Sequence, residues 1–537
     1  MKNWKSVGLI LLACVMLLCG CGGNQVGDIG YEFEKTMPDG YPVQSEETLE
    51  WWCPIFTHVS SKYGNLGDTP FAEELKRATG INVKFIHPPQ DQETTQFNIV
   101  LASGDLPDIM SFNWSNYANG GSAGAVMDKI ALPLNSILEN GGAPALQAVL
   151  GSDPVWKKSL ITDEGWIPGF PNASANTSSV YSGMMIRKDY LDKVGLPVPE
   201  TVAELETALR AFKDQLNIPI PIHVDLANWA NTTNNIVGGF GVGSAFYVDN
   251  GKVKYGPMEE KYYDFVEAMN RWYKDGLLNK EFAAMEFDQY TAGVLNGEIA
   301  VASGNNGGSW GVWLPGIAEK NPDAEFVSLP YPAINKGEKP EFGHLENSFQ
   351  GAMSVITTGC TNVELAAKLL DYGYTPDGQL FMQYGKKDRD WVMGSDGLPK
   401  LTELITNPAK NGNQSISQAL GQCSGSGFVG APKIGHEAYM NEFYNIEAQK
   451  QNIRVWSNTN MADHIIPQLQ YSVEEGQELA QIKTSAETYK QEMLFKMIAG
   501  TEPLTKFPEF QATIKQIGID RALEIMQDAY DRYQARK

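Results

Sequence analysis

At 537 residues, with 42% hydrophobic and 20% charged content, the chain is long enough for about two to four domains and apolar enough to build real cores, which excludes a disordered polymer. Its 42 Lys and Arg face 64 Asp and Glu for a formal charge of -22. With no basic cluster to offset that balance, nucleic acid is excluded as a partner, and the acidity reads as solubility.

The N-terminus is a targeting segment. Lys2 and Lys5 make a positive start, Val7 to Leu18 is an apolar run, and small Gly20 stands directly before Cys21. A charged start, an apolar run near a dozen residues and a small-residue exit read as a secretory signal, too short to span a bilayer as a helix. Leu18-Cys19-Gly20-Cys21 looks like a bacterial lipobox. It predicts a signal peptide over 1–20 and acylation of Cys21, leaving the mature chain tethered to the outer face of the cell membrane. From Gly22 to about Gln44 no periodicity is sustained, so residues 21–44 are expected to be a flexible tether. No later run approaches the ~18 apolar residues that a membrane-spanning helix needs.

Alternating elements follow. Thr48 to Ile55 reads as a strand. Thr69 caps a helix with Pro70 at its first position, Phe71, Leu75 and Ala78 on one face and Gly80 at its end. Ile81–Ile86 alternates as a strand, Thr94–Ala102 is helical, and Asp108–Met110 opens a third strand. Strand-helix-strand-helix-strand implies a parallel sheet, whose ligands sit at the carboxyl ends of the strands. A second alternating region begins near Tyr181, with a capping pattern at Thr201–Glu204, a helix over 261–274 and a buried strand at Gly297–Ala302. Val327–Pro332 is an extended, Pro-broken segment of the kind that links lobes, and the C-terminus is helical.

Catalytic and metal patterns are missing from the text. The six His are scattered with no H-E-x-x-H spacing, no Gly-x-Ser-x-Gly elbow occurs, and neither a phosphate loop nor a dinucleotide fingerprint is present. Asp105 and Asp108 belong to a helix-stop-to-strand turn. After loss of the signal and acylation of Cys21, Cys53, Cys360 and Cys423 remain. Three is an odd number, compatible with one disulfide or with three buried thiols. No Cys/His zinc spacing appears. The expectation is a binder with no cofactor, no metal and no catalytic residue.

Four segments in order carry a family resemblance: Leu101-Ala-Ser-Gly-Asp-Leu-Pro-Asp-Ile109, Met185–Pro197 leading to Thr201, Trp272–Leu278 with Gly297–Ala300 beyond it, and Asp520–Tyr533. Behind a lipobox, they make the chain similar to the extracellular solute-binding proteins of ABC importers. The likeness is to the large lipoprotein subset that includes alginate and other oligosaccharide binders. The resemblance implies an α/β, two-lobe fold of the type II periplasmic-binding-protein kind, each lobe a mostly parallel sheet flanked by helices. It maps one lobe to 45–170 plus 333–400 and the other to 180–330 plus 401–537. Hinges are expected near Ile167–Ser182, Leu329–Pro332 and Leu398. It also implies a monomer that closes on a carbohydrate and delivers it to permease subunits. Relatives often carry a calcium loop after the helix matching Thr201–Phe212. Here Lys213–Pro221 offers only Asp214 and Asn217, short of the six or more oxygens calcium needs, so calcium is not carried over.

Sugar rings have apolar faces and polar edges, so a sugar site needs aromatic platforms with polar partners. Trp114, Trp229, Trp310, Trp313 and Trp391 sit in loop-like text, and Trp52 opens onto the loop from His58 to Asn65. These six are the candidate platforms, while Trp272, on a periodic helix face, is core. The rival readings are a binder of a peptide or another small organic solute, an extracellular glycoside hydrolase with two carboxylates across a cleft, and an adhesin without a permease.

Overall fold

The computed structural model describes residues 31–152, 154–174, 180–224, 226, 235–412, 414–435 and 438–536. The signal segment and Cys21 lie outside them. The strands are β1 (Thr48–Trp52), β2 (Asn82–Ile86), β3 (Ile109–Asn113), β4 (Phe170–Ser174), β5 (Ser182–Arg187) and β6 (Ile220–His223). A hairpin of β7 (Phe246–Asp249) and β8 (Lys252–Tyr255) follows, then β9 (Ile299–Asn305), β10 (Phe326–Leu329) and β11 (Phe349–Ile356). The last are a hairpin of β12 (Trp391–Met393) and β13 (Pro399–Leu401), and β14 (Lys433–Gly435).

Local rules explain much of this. Thr69 Oγ1 accepts from Ala72 N at 3.4 Å, Pro70 begins the helix Pro70–Thr79, and Gly80 ends it at φ 76°. Residue 80 must be glycine for a second reason: a Cβ there would lie 2.0 Å from the Val43 carbonyl oxygen. Strands β5 and β9 are buried almost throughout, as expected of strands covered on both faces, and each has an apolar stretch, Met184–Ile186 and Ile299–Ala302.

Two sheets result. The first has the order β14-β4-β11-β3-β1-β2 and the second β10-β5-β9-β6. In the first, only β11 opposes its neighbours. In the second, β5 opposes β9 and β10, and β6 runs parallel to β9. Each sheet has its own core. Trp51, Phe71, Phe97, Ile109, Trp114, Phe170, Leu369 and Phe428 pack in one. Ile186, Phe212, Phe265, Trp272, Val301, Met497, Phe510 and Ile525 pack in the other. The fold is thus α/β and two-lobed.

The chain passes between the lobes three times, between β4 and β5, between β10 and β11 through 330–348, and after β14. All three leave or enter the first sheet on β14, β4 and β11, which lie side by side. Every crossing is at the carboxyl edge of the parallel strands. The edges ending at Trp52, Ile86 and Asn113 in one lobe, and at His223 and Asn305 in the other, therefore face each other across the seam.

Three sequence expectations are corrected. Residues 31–44 of the expected tether lie on the first lobe: Phe33 is 5% exposed within its core, Thr36 N and Met37 N donate to Glu364 Oε1 at 2.8 and 2.6 Å, and Tyr41 OH donates to Lys368 O at 2.7 Å. Single apolar side chains anchor this strap, so periodicity gave no warning. Leu398 lies in the turn of the β12–β13 hairpin. Residues 401–435 pack with the first lobe, since β14 pairs with β4, and 333–345 pack with the second, where Ala333 N bonds to Glu200 O and Phe342 enters the core.

Candidate functional site

The seam is lined by side chains from both lobes and from the crossings. At its back, Tyr181 OH donates to Glu346 Oε1, and Gln350 Nε2 donates to Glu346 Oε2 at 2.6 Å. The His344 ring meets the Tyr181 ring at 4.4 Å in edge geometry. Burial works against ionisation of Glu346, but hydrogen bonds from His344 and Tyr181 outweigh it, and its carboxyl is held below the usual range. Burial, then the bond to Glu346, raises the Tyr181 phenol.

From this point an aromatic run leads back to the first lobe. Tyr444 and Phe443 rings lie 5.2 Å apart, Phe443 and Tyr439 5.5 Å apart, and Tyr439 meets Tyr384 of the first lobe at 5.5 Å. On the other side Phe443 closes over Gly307, where a Cβ would come 2.8 Å from its ring. Tyr439 also bonds Ser426, and Ser426 Oγ accepts from Lys433 Nζ at 3.2 Å. The Lys433 side chain is aimed away from the core that Ile434, its neighbour on β14, enters.

Two phenylalanines present open faces at the facing edges. Phe56, just beyond β1, is 42% exposed, stacks on His58 at 5.7 Å and is held by its N–H to Gly427 O at 3.0 Å. Phe287, at the start of the helix Phe287–Leu295, is 55% exposed and stacks on Trp313 at 6.1 Å. That helix is fixed at the carboxyl edge of the second sheet, because Tyr290 OH donates to Ser303 O at 2.7 Å.

The tryptophans do not fill the role expected of them. Trp52 packs on Phe97 and Phe112 in the first core. Trp114, fully buried, meets Phe97 at 5.1 Å. Trp310 and Trp313 are fully buried against each other at 4.9 Å. Trp391 donates to Gly385 O and lies within a small satellite core with Tyr384 and Leu420. None of the five offers a ring face to solvent, and they fall in three separate cores. Trp229 lies outside the described residues. The physical reason is area: burying an indole removes 150–250 Å² from water, worth about 4–6 kcal/mol, so a Trp in a short loop folds back under it. The residues missed were tyrosines and phenylalanines. The one textual signal was Tyr439-x-x-x-Phe443-Tyr444, a helical spacing with no apolar partner on the same helix.

No cluster of three or more His, Cys, Asp or Glu side chains among the described residues is placed to hold a metal. Segment 213–221 does not fit calcium: Lys213 brings an ammonium that donates to the Asp275 carbonyl oxygen, and a cation there opposes a second cation. Cys53, Cys360 and Cys423 are free thiols. Beyond the crossings, the lobes also meet at an ionic clasp, where Arg532 Nε donates to Asp163 Oδ2 at 2.7 Å and Arg532 Nη2 to Glu475 Oε2 at 2.6 Å.

Comparison with known proteins extends these observations. The chain is 22% identical over 570 residues to the fructooligosaccharide ABC transporter substrate-binding protein FusA of Streptococcus pneumoniae, covering 100% of this chain and 99% of that one. The fold matches FusA in complex with kestose at a TM-score of 0.72 and 20% identity, covering 91% of this chain and 100% of that one. It matches the alginate-binding protein AlgQ2, determined without calcium ion, at 0.71 and 21%, covering 90% and 98%. These are the type II periplasmic-binding-protein-like fold. The profile of the bacterial extracellular solute-binding protein family matches residues 65–380, and the chain belongs to that family.

Proposed function

We propose that this chain is the substrate-binding subunit of an ABC importer, capturing a carbohydrate between its lobes and passing it unaltered to a membrane permease. The observation that carries the reading is the seam itself. Two sheets turn their carboxyl edges toward one another across three crossings, and the space between is edged by open aromatic faces and hydrogen-bonding tips, the surface a sugar ring requires. A ligand touching both lobes gains contacts only when they approach, so binding shifts the population toward closure. The whole-length relationship to a fructooligosaccharide-binding protein supports the same ligand class. The chain acts as a monomer, held to the outer face of the membrane through an acylated Cys21.

A glycan panel read by thermal shift tests this. A true ligand raises the melting temperature with concentration by mass action, and X-ray scattering with that ligand shows a smaller radius of gyration. Stabilisation by peptides with none by any glycan would overturn the carbohydrate reading. Retention of Cys21→Ala in the membrane fraction would overturn the anchor.

A further inference from the structure

Elsewhere the chain gives its buried cations a carboxylate. Arg187, 2% exposed, pairs with Asp189 at 2.7 Å, Lys490 with Glu487, and Arg389 with Asp390 at 2.8 Å. Lys433 is treated differently. Its side chain is half-buried at the seam, two residues from the end of the strand that leads into the third crossing. It donates to the Ser426 hydroxyl at 3.2 Å. No carboxylate among the described residues is in ion-pair reach of it, and burial alone acts on its ammonium, pulling its pKa down to about 8. A half-buried cation without a counter-charge is disfavoured by its lost hydration, and fold stability alone gives no reason to keep one where a methionine would fit.

The surroundings suggest what the charge is for. The Ser426 hydroxyl accepts from the ammonium and is itself bonded to the Tyr439 hydroxyl, so two hydroxyls are linked in series to the charge. Phe56, whose N–H bonds Gly427 O next to Ser426, is 42% exposed. An ammonium with two hydroxyls can satisfy the oxygens of one anionic group, while the ring takes the apolar face of the sugar that bears it.

Resting on the carbohydrate reading above, we propose that Lys433 is an anion subsite, so that the natural ligand is a saccharide carrying a carboxylate or sulfate substituent that ion-pairs with this side chain. The partner supplies the missing counter-charge, and the cost of keeping Lys433 desolvated is recovered only when ligand is bound.

The test compares trigalacturonate, its methyl ester and a sulfated trisaccharide by isothermal calorimetry with the wild type and with Lys433→Met. The ester pair keeps the sugar and removes the charge. The wild type is expected to bind the acid about tenfold or more tighter than the ester, the size of one charge-assisted hydrogen bond, and Lys433→Met to bring that ratio to about one. Preference for the trigalacturonate arm assigns a carboxylate, and preference for the sulfated arm a sulfate. Without ligand, Lys433→Met is expected to melt at or above the wild-type temperature. A fall of several degrees would mark the lysine as a structural prop and overturn the proposal. Equal wild-type affinity for acid, ester and sulfated sugar would overturn the anion subsite while leaving the carbohydrate reading standing. Binding of no glycan would remove both.

Discussion

Aromatic side chains do two different jobs in this molecule, divided by location. Inside the lobes the largest rings are indoles packed among phenylalanines: Trp51, Trp114, Trp272, Trp310 and Trp313 are fully buried. Along the seam they are phenols and phenyl rings, with Tyr181, Tyr439 and Phe443 half-buried and Phe56 and Phe287 open. The largest ring contributes most where the whole ring can be removed from water. The smaller ring, with or without a hydroxyl tip, suits a surface that must be wet when empty and covered when occupied. Carboxylates divide the same way. Asp371, 3% exposed in the first lobe, accepts from the backbone N–H groups of Leu146 and Ala145, and burial still pushes its pKa up to about 6. Glu346, at the seam, has side-chain donors that win against burial.

The contrast breaks most clearly at an indole. Trp310→Ala is expected to cost about 3–5 kcal/mol in urea denaturation, since it empties a fully buried volume. Among the described residues the Trp310 ring nitrogen has no hydrogen-bond partner, so the loss is one of packing. A cost below about 1 kcal/mol would dissolve the division between interior and seam.

Asp371 comes next. Its folded pKa of about 6 exceeds the ordinary value of 3.8, so the folded state holds this proton more tightly. Its stabilising effect is complete below pH 3.8 and is lost as pH rises through 6, about 3 kcal/mol in all. Asp371→Asn should remove that slope, so the variant's stability relative to wild type should rise by about 3 kcal/mol from pH 4 to pH 7. Parallel curves would show that the carboxyl does not titrate as stated.

Phe287→Ala should barely change folding stability, within about 1 kcal/mol for an exposed side chain. It should weaken glycan affinity about tenfold, the value of one stacked ring. A stability loss with unchanged affinity would move Phe287 into the interior class. The smallest effect is at Glu346, whose lowered folded pKa gives a contribution present above its ordinary value of 4.5 and lost as pH falls. Glu346→Gln should cost about 1 kcal/mol at pH 7 and flatten the acid limb of the stability profile. A steeper acid limb would contradict the sign.

What the text of the chain disclosed follows from the range of each interaction. Thr69-Pro70 and Gly80 bracket a helix through bonds spanning a few residues, so those letters suffice. Thr201, which accepts from Glu204 N at 3.3 Å, works likewise. The strap over 31–44 was illegible because its partner is Glu364, more than three hundred residues away. The hinge near Leu398 was an implication of the family resemblance and not of the residues there, and the chain instead reverses in a hairpin, with Gly394 N bonded to Leu398 O at 2.8 Å. The platforms were misassigned because loop-like text does not say which way an indole turns. Phe56 and Phe287 carry no mark separating them from core phenylalanines.

The strap has a mechanical consequence. Were Cys21 acylated as proposed, the lipid would join a chain that Phe33, twelve residues further on, already fastens to the first lobe. Because Phe33 and Glu364 moor the strap to the first lobe, that lobe would be the one held near the bilayer. The second lobe, free of the mooring, makes the swing on capture. A permease beneath would meet one stationary rim and one that arrives only with cargo.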